Sequence, residues 1–218
     1  MDITQLETLM ENNQVHEVIA LLSKKPELAN QTTSHQISPV LLASYYQKPE
    51  LAKKIGDFVS EANNFDACAM GNFNVVNALI SNDPCLISAY SVDGFTPLGL
   101  ACYFGHEDIA KFLVSKGAEV NVPSKNGFNV FPIHSAVAAN NFNITKMLLA
   151  NGAYPNVCQK SGVAPLHSAA QLGNIELIIL LLEHGRERTL PLERGKLPWR
   201  LAADKGFAEI AEILRPDD

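Results

Sequence analysis

No apolar run in this 218-residue chain approaches the length needed to cross a bilayer. The most apolar stretch, IELIILLLEHG, is bracketed by Glu176 and Glu183, and a spanning helix needs about 20 apolar residues. The opening MDITQLETLMENN has neither the basic start nor the apolar centre of a secretory signal, so the expected compartment is the cytoplasm. The four cysteines, Cys68, Cys85, Cys102 and Cys158, form no CxxC pair. They fit reduced, buried thiols in a cytosolic protein better than a disulfide framework. Positive charge is in deficit, with a formal net charge of −6, which argues against a general nucleic-acid binder.

Catalytic patterns are missing as well. HEVIA and HEDIA open like a zinc-protease helix, but Ala20 and Ala110 stand where the second histidine ligand belongs. There is no G-x-S-x-G elbow and no phosphate-binding glycine loop. The NQT at Asn30 and the NIT at Asn143 match glycosylation acceptors but have no secretion signal to act with. The sequence therefore predicts no catalytic residue, no metal ligand and no cofactor. It reads as a non-enzyme.

What is present is a repeat. The composition is that of an ordinary folded chain, 47% hydrophobic and 18% charged. In GFTPLGLACYFGHEDIA, Pro97 suits the first helical position, where its missing N–H costs nothing. Thr96 is placed to cap that helix, and Gly105 to end it in the left-handed conformation. A second helix then runs through Ile109, Phe112 and Leu113, which share one face. The proline-led start recurs at Pro132, Pro165 and Pro198, at spacings of 35, 33 and 33 residues. The helix-ending position recurs as Asn140, Gly173 and Gly206, and the second helices close at Gly117, Gly152 and Gly185. Weaker copies lie upstream. One starts at Pro39, and another aligns Ala67 and Gly71 with Ala101 and Gly105. Only 24 residues separate the starts of those two units, so the hairpin between them is expected to be missing.

A period of 33 residues with a T-P-L-H-x-A core resembles the ankyrin repeat, a β-turn followed by two helices. Residues 91–121 match that pattern nearly throughout and residues 161–185 almost as well, within a resemblance covering about 37–215. The layout is similar to small, stand-alone bacterial ankyrin arrays. The resemblance implies an all-α ankyrin-repeat solenoid of about six helix pairs, with short β-hairpin fingers and terminal caps. Residues 1–218 form one domain on this reading: an N-terminal cap over 1–36, repeats over 37–60, 61–90, 91–123, 124–158 and 159–191, and a capping repeat over 192–218. The physics agrees, because one helix pair cannot hide its apolar stripe alone and stacked neighbours can. Ala43, Ala67, Ala101, Ala136, Ala169 and Ala202 are expected where inner helices approach closely. Leu113, Leu148, Leu149, Leu180 and Leu181 are expected to fill the outer layer, each contributing about 1.5–3 kcal/mol when buried.

The resemblance also implies a binding face made of finger tips and inner helices. Carried onto this chain, its positions are Tyr45, Val92, Asp93, Phe95, Tyr103, Phe104, Lys125, Phe128, Lys160, Leu172, Arg194 and Lys196. Two patterns stand out among them. Aromatics collect in the N-terminal half, where Phe95, Tyr103, Phe104 and Tyr45 could anchor a partner or pack beneath a neighbouring repeat. Lys125, Lys160, Arg194 and Lys196 form a basic row that could steer an acidic partner or simply keep the tips soluble. The expected activity is protein binding by a monomer, with no nucleic acid and no membrane. The alternatives are a nucleic-acid-binding module using the basic tips, and an unrecognised small enzyme.

The threonine and histidine of the T-P-L-H core never occur together here. Thr96 is followed by Gly99, whereas His134 and His167 follow Phe131 and Ala164. Each missing half of the cap is worth about 1 kcal/mol. Gly99→His is therefore expected to raise the midpoint of urea unfolding, and an unchanged midpoint would contradict this account of the repeat.

Overall fold

The computed structural model describes residues 2–185, 188–192 and 195–216. Among them, fourteen α-helices follow one another in antiparallel pairs. The pairs are α1 (Asp2–Glu11) with α2 (Val15–Lys24), α3 (Pro39–Tyr45) with α4 (Pro49–Gly56), and α5 (Asn64–Met70) with α6 (Phe73–Asn82). Then come α7 (Pro97–Phe104) with α8 (Glu107–Ser115), α9 (Pro132–Ala138) with α10 (Phe142–Ala150), α11 (Pro165–Leu172) with α12 (Ile175–Gly185), and α13 (Pro198–Asp204) with α14 (Ala208–Leu214). Seven pairs replace the six expected, because the N-terminal cap is itself a complete pair. No helix among the described residues is long and apolar enough to cross a membrane.

The odd-numbered helices stack side by side in chain order from α3 to α13 as an inner layer. In the outer layer α2 packs on α4, and α6, α8, α10 and α12 stack in turn. The six alanines of the inner helices are all buried, as are Leu113, Leu148, Leu149, Leu180 and Leu181 in the outer layer. Small side chains let the inner helices approach, and leucines fill the wider space behind them. Three joints depart from this pattern. Short 3₁₀ turns, Pro26–Asn30 and Pro84–Ser88, extend the connections after α2 and α6. Residues 57–63 join α4 to α5 without a finger, and there α4 and α6 stand apart around a cavity of about 530 Å³ lined by Val59, Met70 and Phe73.

The fingers are turns, not β-hairpins: no strand occurs among the described residues. Each finger is closed across its base by a single bond of ladder type, Ser91 N–H to the Phe95 carbonyl at 2.9 Å being one and Gln159 N–H to Val163 another. Arms this short leave no room for a second rung. The 124–130 finger, which has two extra residues, closes in the same way from Ser124 to Val130.

Helix starts explain why the repeat tolerates its incomplete core motif. Ser38, Asn63 and Thr96 cap α3, α5 and α7 by accepting from the N–H groups of Leu41, Asp66 and Gly99. Phe131 and Ala164 have no side chain that can accept, so α9 and α11 rely on the other half of the motif. Nδ1 of His134 accepts from Phe131 N–H at 3.1 Å, and Nδ1 of His167 from Ala164 N–H at 3.0 Å. With Nδ1 an acceptor, Nε2 carries the proton. In His134 it donates to the Val157 and Val163 carbonyls of the next finger. In His167 it faces the Leu190 and Lys196 carbonyls without closing a hydrogen bond of good geometry. Neither half cap is present at α13, whose Leu197 start has no side-chain bond.

Two glycine positions separate distinct roles. Asn140 ends its inner helix at φ 55°, as Gly105 does at 78°, so asparagine does substitute in the left-handed site. Gly185 ends α12 as its spacing predicts, as the last residue of the helix. Its glycine is needed for close approach, since a Cβ there would lie 2.6 Å from Pro155 Cγ. Cys68 and Cys102 are buried as expected, while Cys85 and Cys158 are exposed. Cys85 sits in the 3₁₀ turn Pro84–Ser88 and Cys158 in a loop, outside the helix faces that stacking covers.

Burial lowers the pKa of His134 to about 4 and also lowers that of His167, while the backbone carbonyls oppose the shift. An unfolded histidine titrates near 6.5. The folded chain therefore binds fewer protons, and stability falls as pH drops from about 6.5 toward 4. By that linkage His134 alone costs about 2 kcal/mol between pH 7 and pH 5. We expect the urea midpoint to fall over that range and His134→Gln to flatten the slope. An equal slope in the variant would contradict the neutral, buried imidazole.

Candidate functional site

The inner-helix face carries its large side chains at two consecutive positions, just before each helix ends. In α7 these are Tyr103 and Phe104, and the equivalents are Tyr45 at the end of α3 and Tyr46 just after it. The same two places hold Ala69 and Met70 in α5, and Ala138 and Ala139 after it in α9. Because Ala69 is small, Tyr45 and Tyr103 meet over it, although their helices are two repeats apart. Their ring centroids lie 5.7 Å apart at 62°. Phe104 joins both, 5.4 Å from Tyr45 and 5.0 Å from Tyr103, the latter pair nearly perpendicular at 89°. Edge-to-face packing of this kind suits the aromatic quadrupoles. A groove of about 410 Å³ runs past this cluster, lined by Gln47, Ala69, Tyr103, Phe104, His106 and Ala139. His106 helps to form its floor, with Nε2 3.0 Å from the Ala69 carbonyl.

The second finger reaches the same cluster. The Tyr45 hydroxyl donates to Oδ2 of Asp93, whose Oδ1 accepts from the Ser91 hydroxyl. Burial, with the nearby Asp93 carboxylate adding to it, raises the pKa of Tyr45 far above the ordinary phenol. The hydroxyl is therefore a permanent donor, and the bond holds finger, α3 and the aromatic cluster together.

The structure thus brings together Tyr45, Asp93, Tyr103 and Phe104. Tyr103 is 41% exposed, whereas Tyr45 and Phe104 are half-buried, so the cluster is partly anchor and partly packing. Phe95 is half-buried against the core and does not join the cluster. The finger tips project Val92 and Phe128, 82% and 64% exposed. Leu172, exposed at the end of α11, stands two repeats farther along.

The basic row is less uniform than its spacing implies. Lys125 lays its ammonium over the Tyr90 ring, 3.9 Å from the centroid, and Lys196 pairs with Asp204 at 2.8 Å. Lys160 is exposed. Arg194 lies outside the described residues. Tyr90 is one residue that the repeat reasoning missed, since its position precedes the finger. Asn63 and Asp66 are two more: their prominence follows from the 24-residue spacing, which was the available signal.

Comparison with known proteins agrees with the repeat architecture. A family model described as "Ankyrin repeats (3 copies)" matches residues 65–124 and 133–218, and one described as "Ankyrin repeats (many copies)" matches 101–149. Alpha-latrocrustotoxin-Lt1a of Latrodectus tredecimguttatus is 28% identical over 53% of this chain and 9% of the toxin. Neurogenic locus notch homolog protein 2 of Homo sapiens is 29% identical over 70% of this chain and 6% of that protein. Ankyrin repeat and SAM domain-containing protein 6 of Rattus norvegicus is 34% identical over 45% of this chain and 11% of that protein. The chain thus spans 11% or less of the length of these three relatives.

Proposed function

The chain belongs to the ankyrin-repeat family, and on that premise we propose that it is a non-catalytic module that binds another protein along its inner-helix groove and finger tips. The observation that carries this reading is the aromatic cluster on the open face. Tyr103 is left 41% exposed beside Tyr45 and Phe104, above a groove of about 410 Å³. Aromatics in such a position are the residue types that anchor protein interfaces. Val92 and Phe128 extend the apolar contact to the tips, and Leu172 to the far end.

Of the basic row, Lys160 is exposed and would favour an acidic region of the partner near its finger, while Lys125 and Lys196 are engaged within the chain. The same lysines give less support to nucleic-acid binding. Lys196 is already neutralised by Asp204 and Lys125 rests on Tyr90, which leaves few charges to release counterions from phosphates. We place the protein in the cytoplasm as a monomer, in keeping with its unpaired cysteines.

A photo-cross-linking residue at position 103, compared with one at the exposed outer residue Ile213, tests this reading in lysate of the native cell. We expect a discrete partner at 103 that is absent at 213. Tyr103→Ala should weaken the purified complex about tenfold or more while leaving the unfolding midpoint close to its original value. Equal labelling at both positions, or none in repeated captures, would overturn the proposal.

A further inference from the structure

The fingers are tied sideways by backbone bonds that all run in one direction. Lys125 N–H donates to the Gly94 carbonyl of the preceding finger at 2.8 Å, and Lys160 N–H donates to the Phe128 carbonyl at 2.9 Å. Ser34 holds the same place in the first finger, and no finger precedes it. There the Glu7 carboxylate of α1 substitutes, accepting from both Ser34 N–H and the Ser34 hydroxyl. Val92 holds this place in the second finger. The finger that should precede it is missing, because residues 57–63 join α4 to α5 directly.

Among the described residues no acceptor stands on Val92 N–H, and no donor reaches the Gln36 carbonyl. Gln36 takes the part of Gly94 in the first finger, with φ 64° against 83°. A donor and an acceptor that find no partner within the described residues, both on exposed residues, therefore flank the internal repeat α5–α6, which has no finger. A recess of about 140 Å³ lies there, lined by Ile37, Leu41, Asn63, Phe65, Asp66 and Val92. Its charge has one sign. The Asp66 carboxylate borders it with Asp93 close by, and no lysine or arginine lines it. Burial raises the pKa of Asp66, and the Asp93 charge adds to that effect against the bonds from Ser38 and Asn63. A cation would relieve the repulsion. Each finger described in this chain already occupies its own repeat, so the complement must come from outside.

We propose that the vacancy between Gln36 and Val92 receives a turn of the partner protein that carries a lysine or arginine, so that the partner completes the finger row. The turn gives a carbonyl to Val92 N–H and takes the Gln36 carbonyl on one of its own N–H groups, as neighbouring fingers do. Its basic side chain faces the Asp66 and Asp93 carboxylates. The inference rests on the protein-binding reading above and names the chemistry that one end of the partner must have.

The probe is a cyclic hairpin peptide with the turn Ser-Lys-Asn-Gly, copied from residues 124–127, titrated into the full chain and followed by amide NMR. Saturable shifts at Gln36, Asn63 and Val92 are expected, with binding about tenfold weaker when the lysine is replaced by glutamate. Val92→Pro removes the donor at the second position of the turn Ser91–Gly94, where proline is favoured. It should likewise weaken binding about tenfold without lowering the thermal midpoint. Asp66→Asn and Asp93→Asn report on the charge. If Asp66→Asn unfolds the chain, Val92→Pro and the glutamate peptide still decide. No shift at millimolar peptide, shifts only around Tyr103, or binding that Val92→Pro leaves intact would each overturn the inference. Cross-linking of a partner at position 103 alongside any of those results would leave the general binding function standing.

Discussion

Every helix pair in this protein is too short to bury its own apolar surface, and lateral stacking supplies what each pair lacks. The inner alanines and outer leucines are buried because the next repeat covers them. Stability in such an array is a sum over interfaces between neighbours. Tolerance follows from the same arrangement. The capping motif can be split, with a hydroxyl at α7 and imidazoles at α9 and α11, because each helix start needs only enough bonds to hold its place in the stack. His134 joins the two levels, accepting from its own helix start and donating to the next finger.

The inner-helix face is shaped by departures from the repeat. A small residue at Ala69 lets Tyr45 and Tyr103 meet across a whole repeat, and the Asp93 carboxylate locks that contact from the finger side. A uniform array would place a similar residue at each of these positions and would have no such cluster. The absent finger before Val92 likewise exposes backbone groups that are paired elsewhere in the row. The aromatic cluster and the missing finger both fall between α3 and α7, where the spacing of the repeats is least regular.

The regular half of the fold was legible because proline, glycine and asparagine report backbone conformation directly. Pro97, Pro132, Pro165 and Pro198 mark the helix starts, and Asn140 stands in the left-handed site as its spacing requires. The missing finger was legible too, from a spacing of 24 residues. The N-terminal pair was only half legible, because α1 has no proline start. The fingers failed to form strands because one rung per finger is all that their length allows. The aromatic positions were identified by register, but their mutual contact was not, since it depends on the depth of Ala69 between them. Cys85 and Cys158 escaped burial because they sit in connections, where composition says little about cover.

The cavity between α4 and α6 has a mechanical meaning. From α6 to α12 the outer layer is continuous and braces the inner helices from behind. At α5 that bracing is thin, with about 530 Å³ of open space at the back and no finger at the front. At this joint the N-terminal repeats are therefore carried mainly by inner-helix contacts, α3 on α5 and α5 on α7.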